Sequence, residues 1–452
     1  MPETNNEPRF TCDWIFNILV VLSDGKVVCG CADPYGQRPL GHLQEKGIYE
    51  IWNSEPVKQI RRDLNAGHAD FCGPCGLKRF LKENETLPQA PEHLDVLPRL
   101  FLEPTVLCNL NCFKAVCSKE ADILKSRTRT IFPVEEFKSL LDQVWEKLIR
   151  LDFFNYGDPF VHPQAAEMMA YIKEKYRHIY LYVSTNGLML DEEKIKILAA
   201  SGVDEITFSV DGVDQESYGH YRQGGDFNKV LGLMAKMVAE RNKIGREVPF
   251  INWRYILFNW NDSVAQMKRA KKLAAKIGVD RFTWEITDHP VEGKSEKYQI
   301  GTEAWKKIYY EIWDTSQIGN VVKKNRFMAK IKVLSGRVDM AVGGDAVNVR
   351  VQVKNKGGAL WRKVTWSGRR LVRLGAQWYD RDKKLLDLNY ARVFLNKDLG
   401  YRKKDILTIT LPPLSQPGEY FLKFDMVSEG NDWFENGGSP VVWVPFRVYA
   451  GG

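Results

Sequence analysis

The sequence predicts an α/β chain: a partial barrel of six βα units at its centre, a small cysteine-rich module in front and an all-β sandwich behind. Three observations predict it. Between residues 100 and 287 short β-rich runs alternate with amphipathic helical runs, all 8 cysteines fall within the first 117 residues, and beyond about residue 340 short alternating runs bounded by Gly, Pro and Asn take over. The implied organisation is a cysteine-rich domain over 1–90, a core over 91–320, a linker over 321–340 and a sandwich over 341–452.

Composition agrees with several folded units. The 452 residues exceed the roughly 100–200 of one domain, and 44% hydrophobic with 27% charged residues is ordinary globular usage, which excludes disorder, collagen and coiled coil. The longest apolar run, around Ile18–Leu22, is far shorter than the roughly 20 residues that span a bilayer. The first ten residues hold no basic segment leading into an apolar one. No membrane span and a cytoplasmic location are therefore expected. The net charge of +8 is diffuse, so no nucleic-acid partner is expected, and the run Lys323-Lys324-Asn325-Arg326 reads as a solvated face.

In the core, strands are expected at Leu100–Leu107, Ile149–Asn155, Ile179–Ser184, Glu205–Val210, Phe250–Phe258 and Arg281–Thr287. Helices are expected at Pro133–Lys147, Pro163–Tyr176, Asp191–Ala200, Phe227–Ile244 and Ser263–Ile277, where apolar residues recur every three or four positions. Functional side chains on such sheets gather at the carboxyl ends of the strands. Directly after the first strand comes Cys108-Asn-Leu-Asn-Cys112-Phe-Lys-Ala-Val-Cys117, three thiols on one loop. In a reducing compartment, cysteines this close read as metal ligands rather than disulfides. Cubane iron–sulfur clusters usually take four thiolates; three leave one iron open.

This loop resembles that of the radical S-adenosylmethionine (SAM) superfamily, whose spacing is three residues and then two, against three and then four here. The resemblance implies a [4Fe–4S] cluster on Cys108, Cys112 and Cys117, with SAM chelated at the open iron and cleaved to a 5′-deoxyadenosyl radical that takes a hydrogen atom from substrate. It extends to the later strand ends. Tyr156-Gly157-Asp158-Pro159 is similar to the Gly-Glu-Pro turn whose backbone meets the SAM amino group, with Asp in place of Glu, and Ser184-Thr185-Asn186-Gly187 to the segment that approaches SAM. Ser209-Val210-Asp211-Gly212 and Tyr221-Arg222 resemble relatives in which Ser and Arg contact the SAM ribose and carboxylate. The cofactor residues so implied are Gly157, Asp158, Pro159, Ser184, Asn186, Ser209, Asp211 and Arg222. His162 reads as a hydrogen-bonded histidine at a helix start, Tyr156 before it could face the cavity, and His220 and His289 carry no assigned role.

Ahead of the core, Cys12 to Cys31 reads as a β-hairpin turned by Ser23-Asp24-Gly25, followed by a helical run ending in Trp52-Asn53 and then Cys72-Gly-Pro-Cys75. This order resembles the SPASM or twitch domain, which binds an auxiliary [4Fe–4S] cluster but normally follows the core. The implied ligands are Cys12, Cys72, Cys75 and either Cys29 or Cys31, with Cys31 favoured because Asp33 follows two residues later. A tetrahedral zinc site is the structural alternative. Behind the core, strands are expected at Val347–Val353, Trp361–Trp366, Leu371–Tyr379, Ala391–Leu395, Ile406–Leu411, Tyr420–Met426 and Val441–Val448, an immunoglobulin-like sandwich similar to modules of polysaccharide export and modification proteins. Trp433-Phe434 reads as an aromatic plug, or otherwise as a sugar-stacking pair.

The expected function is a radical SAM oxidoreductase or maturase acting on a peptide or carbohydrate, with an electron donor such as flavodoxin or ferredoxin as partner. Two alternatives stand beside it: a radical SAM epimerase using a spare Cys29 or Cys31 thiol as hydrogen donor, and a non-catalytic, zinc-stabilised glycan-binding protein.

Overall fold

The six runs expected as core strands all form, and they pair parallel in the order in which they occur. The computed structural model describes residues 9–12, 14–30, 33–73, 75–81, 90–115, 122–246, 248–308, 311–312, 327–335, 338–357, 359, 361–363, 371–429 and 432–450. Cys31, Cys117 and the basic run at 323–326 lie outside the described residues. The chain divides into two units, Met1–Thr302 with Asp314–Gly319, and Glu303–Trp313 with Asn320–Gly452.

In chain order the first unit contains β1 (Phe10–Thr11), α1 (Trp14–Asn17), β2 (Ile18–Val21), β3 (Lys26–Val28), β4 (Gly41–His42), α2 (Ile48–Trp52), α3 (Glu55–Ala66) and β5 (Arg79–Phe80). The core follows as β6 (Arg99–Leu102), α4 (Val134–Val144), β7 (Arg150–Phe153), α5 (Ala165–Lys175), β8 (Tyr180–Thr185), α6 (Glu192–Ser201), β9 (Glu205–Ser209), α7 (Gln215–Tyr221), α8 (Phe227–Lys243), β10 (Phe250–Leu257), α9 (Val264–Ile277) and β11 (Arg281–Ile286). Its nine-stranded sheet runs β11-β10-β9-β8-β7-β6-β2-β3-β4. The expected hairpin is therefore the continuation of the core sheet: β2 pairs parallel with β6, Ile18 opposite Arg99, and β3 returns antiparallel with Val20 opposite Val28.

Because successive strand residues face opposite sides, the core strands sort themselves. Leu151 and Phe153, Leu181 and Val183, Ile206 and Phe208 are buried on the helix-covered face, where Phe137 of α4 meets Phe153 edge-on at 5.9 Å. The alternate residues line the barrel, and many are ionisable. Arg99 Nε and Arg150 Nη2 donate to the Asp152 carboxylate at 2.6 and 2.5 Å, while Glu205 accepts from Tyr180 Oη at 2.6 Å and pairs with Arg281. Burial pushes the Asp152 carboxyl up, but its two arginines outweigh burial and hold it below the usual carboxylate range. Helix ends follow the sequence: Asp191, Asp214, Asp226 and Ser263 cap α6, α7, α8 and α9 by accepting the backbone N–H three residues on.

The second unit contains α10 (Glu303–Ile308), then β12 (Ala329–Val333), β13 (Val338–Ala341), β14 (Val347–Asn355), β15 (Val372–Asp380), β16 (Leu385–Phe394), β17 (Lys404–Leu411), β18 (Gly418–Ser428), β19 (Asp432–Trp433) and β20 (Val442–Tyr449). A sheet of order β12-β14-β17 faces one of order β13-β20-β18-β15-β16, with β19 paired to β18, over a core that includes Val351, Leu374, Phe424 and Trp361. β12 and all but the last residue of β13 fall within the segment expected to be linker: Ala329 and Ile331 are buried while Lys330 and Lys332 are exposed, a short alternation masked by its charge. β16 starts six residues before the expected Ala391 because Leu385–Asn389 form an exposed edge with no buried face to mark it. Of Trp361–Trp366, the described residues Trp361 and Arg362 make only isolated bridges, to Leu399 and Leu371. Trp433 and Phe434 are buried, Phe434 against Trp361 at 5.4 Å, so the plug is what forms and the sugar-stacking alternative for this pair is corrected.

Two outcomes are expected. Asp152→Asn leaves Arg99 and Arg150 buried without their counter-charge and should lower stability by about 3–5 kcal/mol in urea unfolding; a loss below about 1 kcal/mol would mean water reaches the arginines. In the sandwich, burial raises the Asp425 carboxyl to about 7. A folded-state value above the unfolded one makes the protonated group stabilising at low pH, and that stability is lost as pH rises from about 4 through 7. Asp425→Asn should therefore gain on the wild type as pH rises across that window, and a pH-independent difference in melting temperature would contradict this.

Candidate functional site

The loop after β6 crosses the carboxyl ends of the strands, and its first half is held from several sides. Asn111 N donates to Gln223 O at 3.1 Å and Phe113 N to Tyr221 O at 2.8 Å, which ties the loop to the end of α7. His289 hydrogen-bonds the Lys114 carbonyl at 2.9 Å, and Phe113 meets the rings of His220 and Trp260 edge-on. The loop also lies against the turn after β7. Gly157 has φ +81°, and a Cβ there would fall 2.6 Å from the carbonyl oxygens of Thr105 and Leu107, so only glycine permits the approach.

Both described thiols of this loop receive donors. Asn186 Nδ2 points at Cys108 Sγ at 3.8 Å and Leu110 N at 3.5 Å, while Arg222 Nη1 points at Cys112 Sγ at 3.6 Å. Behind each donor stands a carboxylate. Asp158 accepts from Asn186 N at 2.7 Å, Thr185 Oγ1 at 2.8 Å and Phe160 N at 3.0 Å, so it clips the β7 turn to the β8 turn. Asp211 accepts from Arg222 Nε at 2.6 Å and Ile256 N at 2.7 Å. Burial raises the Asp158 carboxyl despite its three donors, and it raises the Cys112 thiol against the pull of Arg222. Donors aimed at sulfur favour the thiolate, so Cys108 and Cys112 fit a thiolate-ligated cluster. Pro159 opens a short 3₁₀ turn capped by Asp158.

The remaining residues sort as follows. Ser184 and Ser209 stand with their hydroxyls 3.4 Å apart on the barrel face of β8 and β9. Arg254, which sequence reasoning missed, donates from Nη2 to Ser209 Oγ at 2.8 Å and sets Nε 3.1 Å from Glu285 Oε2. Its signal was available: Asn252 and Arg254 alternate with Ile251, Trp253 and Tyr255 on a strand otherwise apolar. His162 is buried between the Phe132 carbonyl and Gln164 N, as expected of a structural histidine. Tyr156 is half-buried. His220 lies tilted against Trp260 with ring centres 4.1 Å apart.

In the amino-terminal module, Cys12, Cys29, Cys72 and Cys75 line one cavity together with Trp14, Asp33 and Arg38. Asp33 accepts from Gln37 N and Arg38 N, and Arg38 Nη1 donates to the carbonyls of Phe71 and Cys72, so a short loop braces the Cys72–Cys75 turn. Burial first, and then the neighbouring Cys12, Cys72 and Cys75, push the Cys29 thiol well up. Among the described residues no three His, Cys, Asp or Glu side chains close on a single point. Four thiols around one cavity are a donor set that a cubane iron–sulfur cluster or a tetrahedral zinc ion can take. From the cavity wall a line of rings leads into the barrel: Trp14 stacks on Phe101 at 5.7 Å, Phe101 meets Phe154 at 5.7 Å, and Phe154 meets Tyr182 at 5.4 Å.

Two known families match separate stretches of the chain. Residues 102–245 match the Radical SAM superfamily and residues 12–76 match SPASM, an iron–sulfur cluster-binding domain. The chain carries a radical SAM domain behind a SPASM domain. The pair implies a [4Fe–4S] cluster with SAM in the core and auxiliary iron–sulfur ahead of it. Among curated proteins it is 29% identical, over 40% of this chain and 49% of the relative, to the tungsten-containing aldehyde ferredoxin oxidoreductase cofactor-modifying protein of Pyrococcus furiosus. It is 26% identical, over 39% of this chain and 44% of the relative, to the Fe-coproporphyrin III synthase of Methanosarcina barkeri. The chain thus spans about half the length of the curated relatives it matches. Among solved structures, Streptococcus suis SuiB bound to its precursor peptide SuiA aligns with a TM-score of 0.36 at 14% identity, over 55% of this chain and 57% of that one. Among the described residues no helix is long and apolar enough to cross a membrane.

Gly157→Ala should push the β7 turn off the radical SAM loop. Anaerobic reconstitution is expected to lose the core cluster's share, roughly four of roughly eight irons, while the SPASM share stays. Full iron loading would show that the loop tolerates the displaced turn.

Proposed function

We propose that this chain is a radical SAM oxidoreductase of the maturase type, which takes a hydrogen atom from a peptide or carbohydrate and resolves the substrate radical by oxidation or bond formation. The observation that carries the reading is a cysteine loop supplied with N–H donors at the mouth of the barrel, on the same sheet as a second cavity lined by four thiols. With SAM bound and an electron delivered by a donor such as flavodoxin or ferredoxin, the core cluster supplies the 5′-deoxyadenosyl radical.

The chain's own residues prepare the site. Asn186 and Arg222 orient Cys108 and Cys112, and Asp158 and Asp211 fix those two side chains in turn. Ser184, Ser209 and Arg254 put hydroxyls and a guanidinium into the barrel beside the loop, groups that suit a ribose and a carboxylate. Oxidation is favoured over epimerisation because no cysteine follows Cys117 in this sequence, so the later strands offer no thiol to return a hydrogen atom.

Dithionite-reduced, reconstituted protein should form 5′-deoxyadenosine from SAM, and joint replacement of Cys108, Cys112 and Cys117 by Ala should abolish this while iron in the SPASM domain remains. A deuterated candidate peptide or glycan should pass its label to 5′-deoxyadenosine and emerge oxidised. Solvent deuterium entering an otherwise unchanged substrate would mark epimerisation instead, and stoichiometric zinc without any nucleoside product would overturn the catalytic reading.

A further inference from the structure

Of the residues that line the four-thiol cavity of the amino-terminal module, Arg38 alone carries a fixed positive charge. The short loop that presents it is set by Asp33, which accepts from Gln37 N at 3.0 Å and Arg38 N at 2.9 Å, while Gly36 N donates to the Asp33 carbonyl at 3.2 Å. Asp33 is buried, and its two carboxylate oxygens are taken up by backbone N–H groups. It therefore clasps the loop and leaves the guanidinium to other partners. Arg38 Nη1 donates to the Phe71 carbonyl at 2.8 Å and to the Cys72 carbonyl at 3.1 Å, and the guanidinium lies 5.5 Å from the ring centre of Phe71. Every one of these partners is neutral.

The contacts fall on the turn that carries two of the four thiols. Cys75 N donates to the Cys72 carbonyl at 2.7 Å, so that oxygen has one lone pair left for Nη1, and Lys78 Nζ donates to the next carbonyl, that of Gly73. Two cations thus cover the carbonyls of Phe71, Cys72 and Gly73 in succession. Their settings differ. The Arg38 contacts are half-buried at the cavity wall, whereas the Lys78 contact is exposed and Lys78 does not line the cavity. Any N–H donor could brace a carbonyl; what arginine adds is a charge, placed beside four groups that become anionic when they ligate metal.

We infer that Arg38 is the counter-charge of an iron–sulfur cluster held by Cys12, Cys29, Cys72 and Cys75, a positioning residue for the Cys72–Cys75 turn that also raises the reduction potential of that cluster. The inference rests on reading the four-thiol cavity as an iron–sulfur site. A cluster on four thiolates is an anion, and one-electron reduction makes it more negative; a fixed positive charge at its wall therefore stabilises the reduced form more than the oxidised one. Arg38 is half-buried, so solvent screens part of this effect and all but a remnant of that of Lys78.

The test uses the full chain with Cys108, Cys112 and Cys117 replaced by Ala, so that EPR-monitored redox titration reads the SPASM cluster alone. Arg38→Gln keeps an N–H donor for the two carbonyls and removes the charge. It should lower the midpoint so that the reduced-to-oxidised ratio at fixed potential falls at least threefold, about 28 mV for one electron, whereas Arg38→Lys should stay within that margin of the parent and Lys78→Gln should shift it less than Arg38→Gln. An unchanged midpoint in loaded Arg38→Gln, or a larger shift from Lys78→Gln, overturns the inference. If Arg38→Gln does not load, Arg38→Lys decides: iron at the parent midpoint supports the counter-charge, and any other result reduces Arg38 to a brace of the turn and overturns it. Zinc in place of iron in the parent removes the iron–sulfur reading of the cavity and the inference with it. Formation of 5′-deoxyadenosine by the chain with its three core cysteines intact is scored separately, so loss of the catalytic reading and loss of this one are told apart.

Discussion

The interior of the first unit is governed by the need to neutralise buried charge. A parallel sheet covered by helices on one face would fold with apolar residues on both, yet Arg99, Arg150, Asp152, Glu205 and Arg281 occupy its barrel side. Such pairs add little over well-packed apolar side chains, but separating them is costly, so they penalise any register that slips. Shifting β7 by one residue would turn Asp152, together with Arg150 of the same strand, out of the barrel and leave Arg99 of β6 without its counter-charge. The same logic reaches the strand ends, where Glu103, buried completely, holds Arg127 at 2.8 Å and accepts from Ser23 N at 3.0 Å. That single carboxylate fixes the hairpin turn of the SPASM domain to the strand that leads into the radical SAM loop.

Much of this was legible in the sequence. The six core strands and five helices announce themselves by period, and the Gly157, Asn186-Gly187 and Asp211-Gly212 turns by their residues. What stayed hidden was the use of the side chains. Asp158 and Asp211 stand where a cofactor residue is expected, but the structure engages their carboxylates with Asn186 and Arg222, and only three dimensions show which N–H a carboxylate will find. Helix α7 was missed because its seven residues, Gln215–Tyr221, hold two buried side chains, Ser217 and Tyr218, too few for a periodic signal. Arg61 left a trace that periodicity could have caught, a charge at a core position of an amphipathic helix.

The pairing of β2 with β6 also sets how the two cysteine sites relate. Cys29 follows Val28, which stands opposite Val20 on the antiparallel return, so it lies toward the amino end of β2; the radical SAM loop begins beyond the carboxyl end of β6, parallel to β2. Three steps along β2 at about 3.3 Å each already separate the sites by roughly 10 Å along the strand direction. On the barrel side Trp14, Phe101, Phe154 and Tyr182 form a line of rings, consecutive centres under 6 Å apart, that leads from the cavity wall into the barrel. The SPASM domain stands ahead of the core in the chain, yet its hairpin continues the core sheet through the pairing of β2 with β6, so continuity of hydrogen bonds, and not chain order, joins the two.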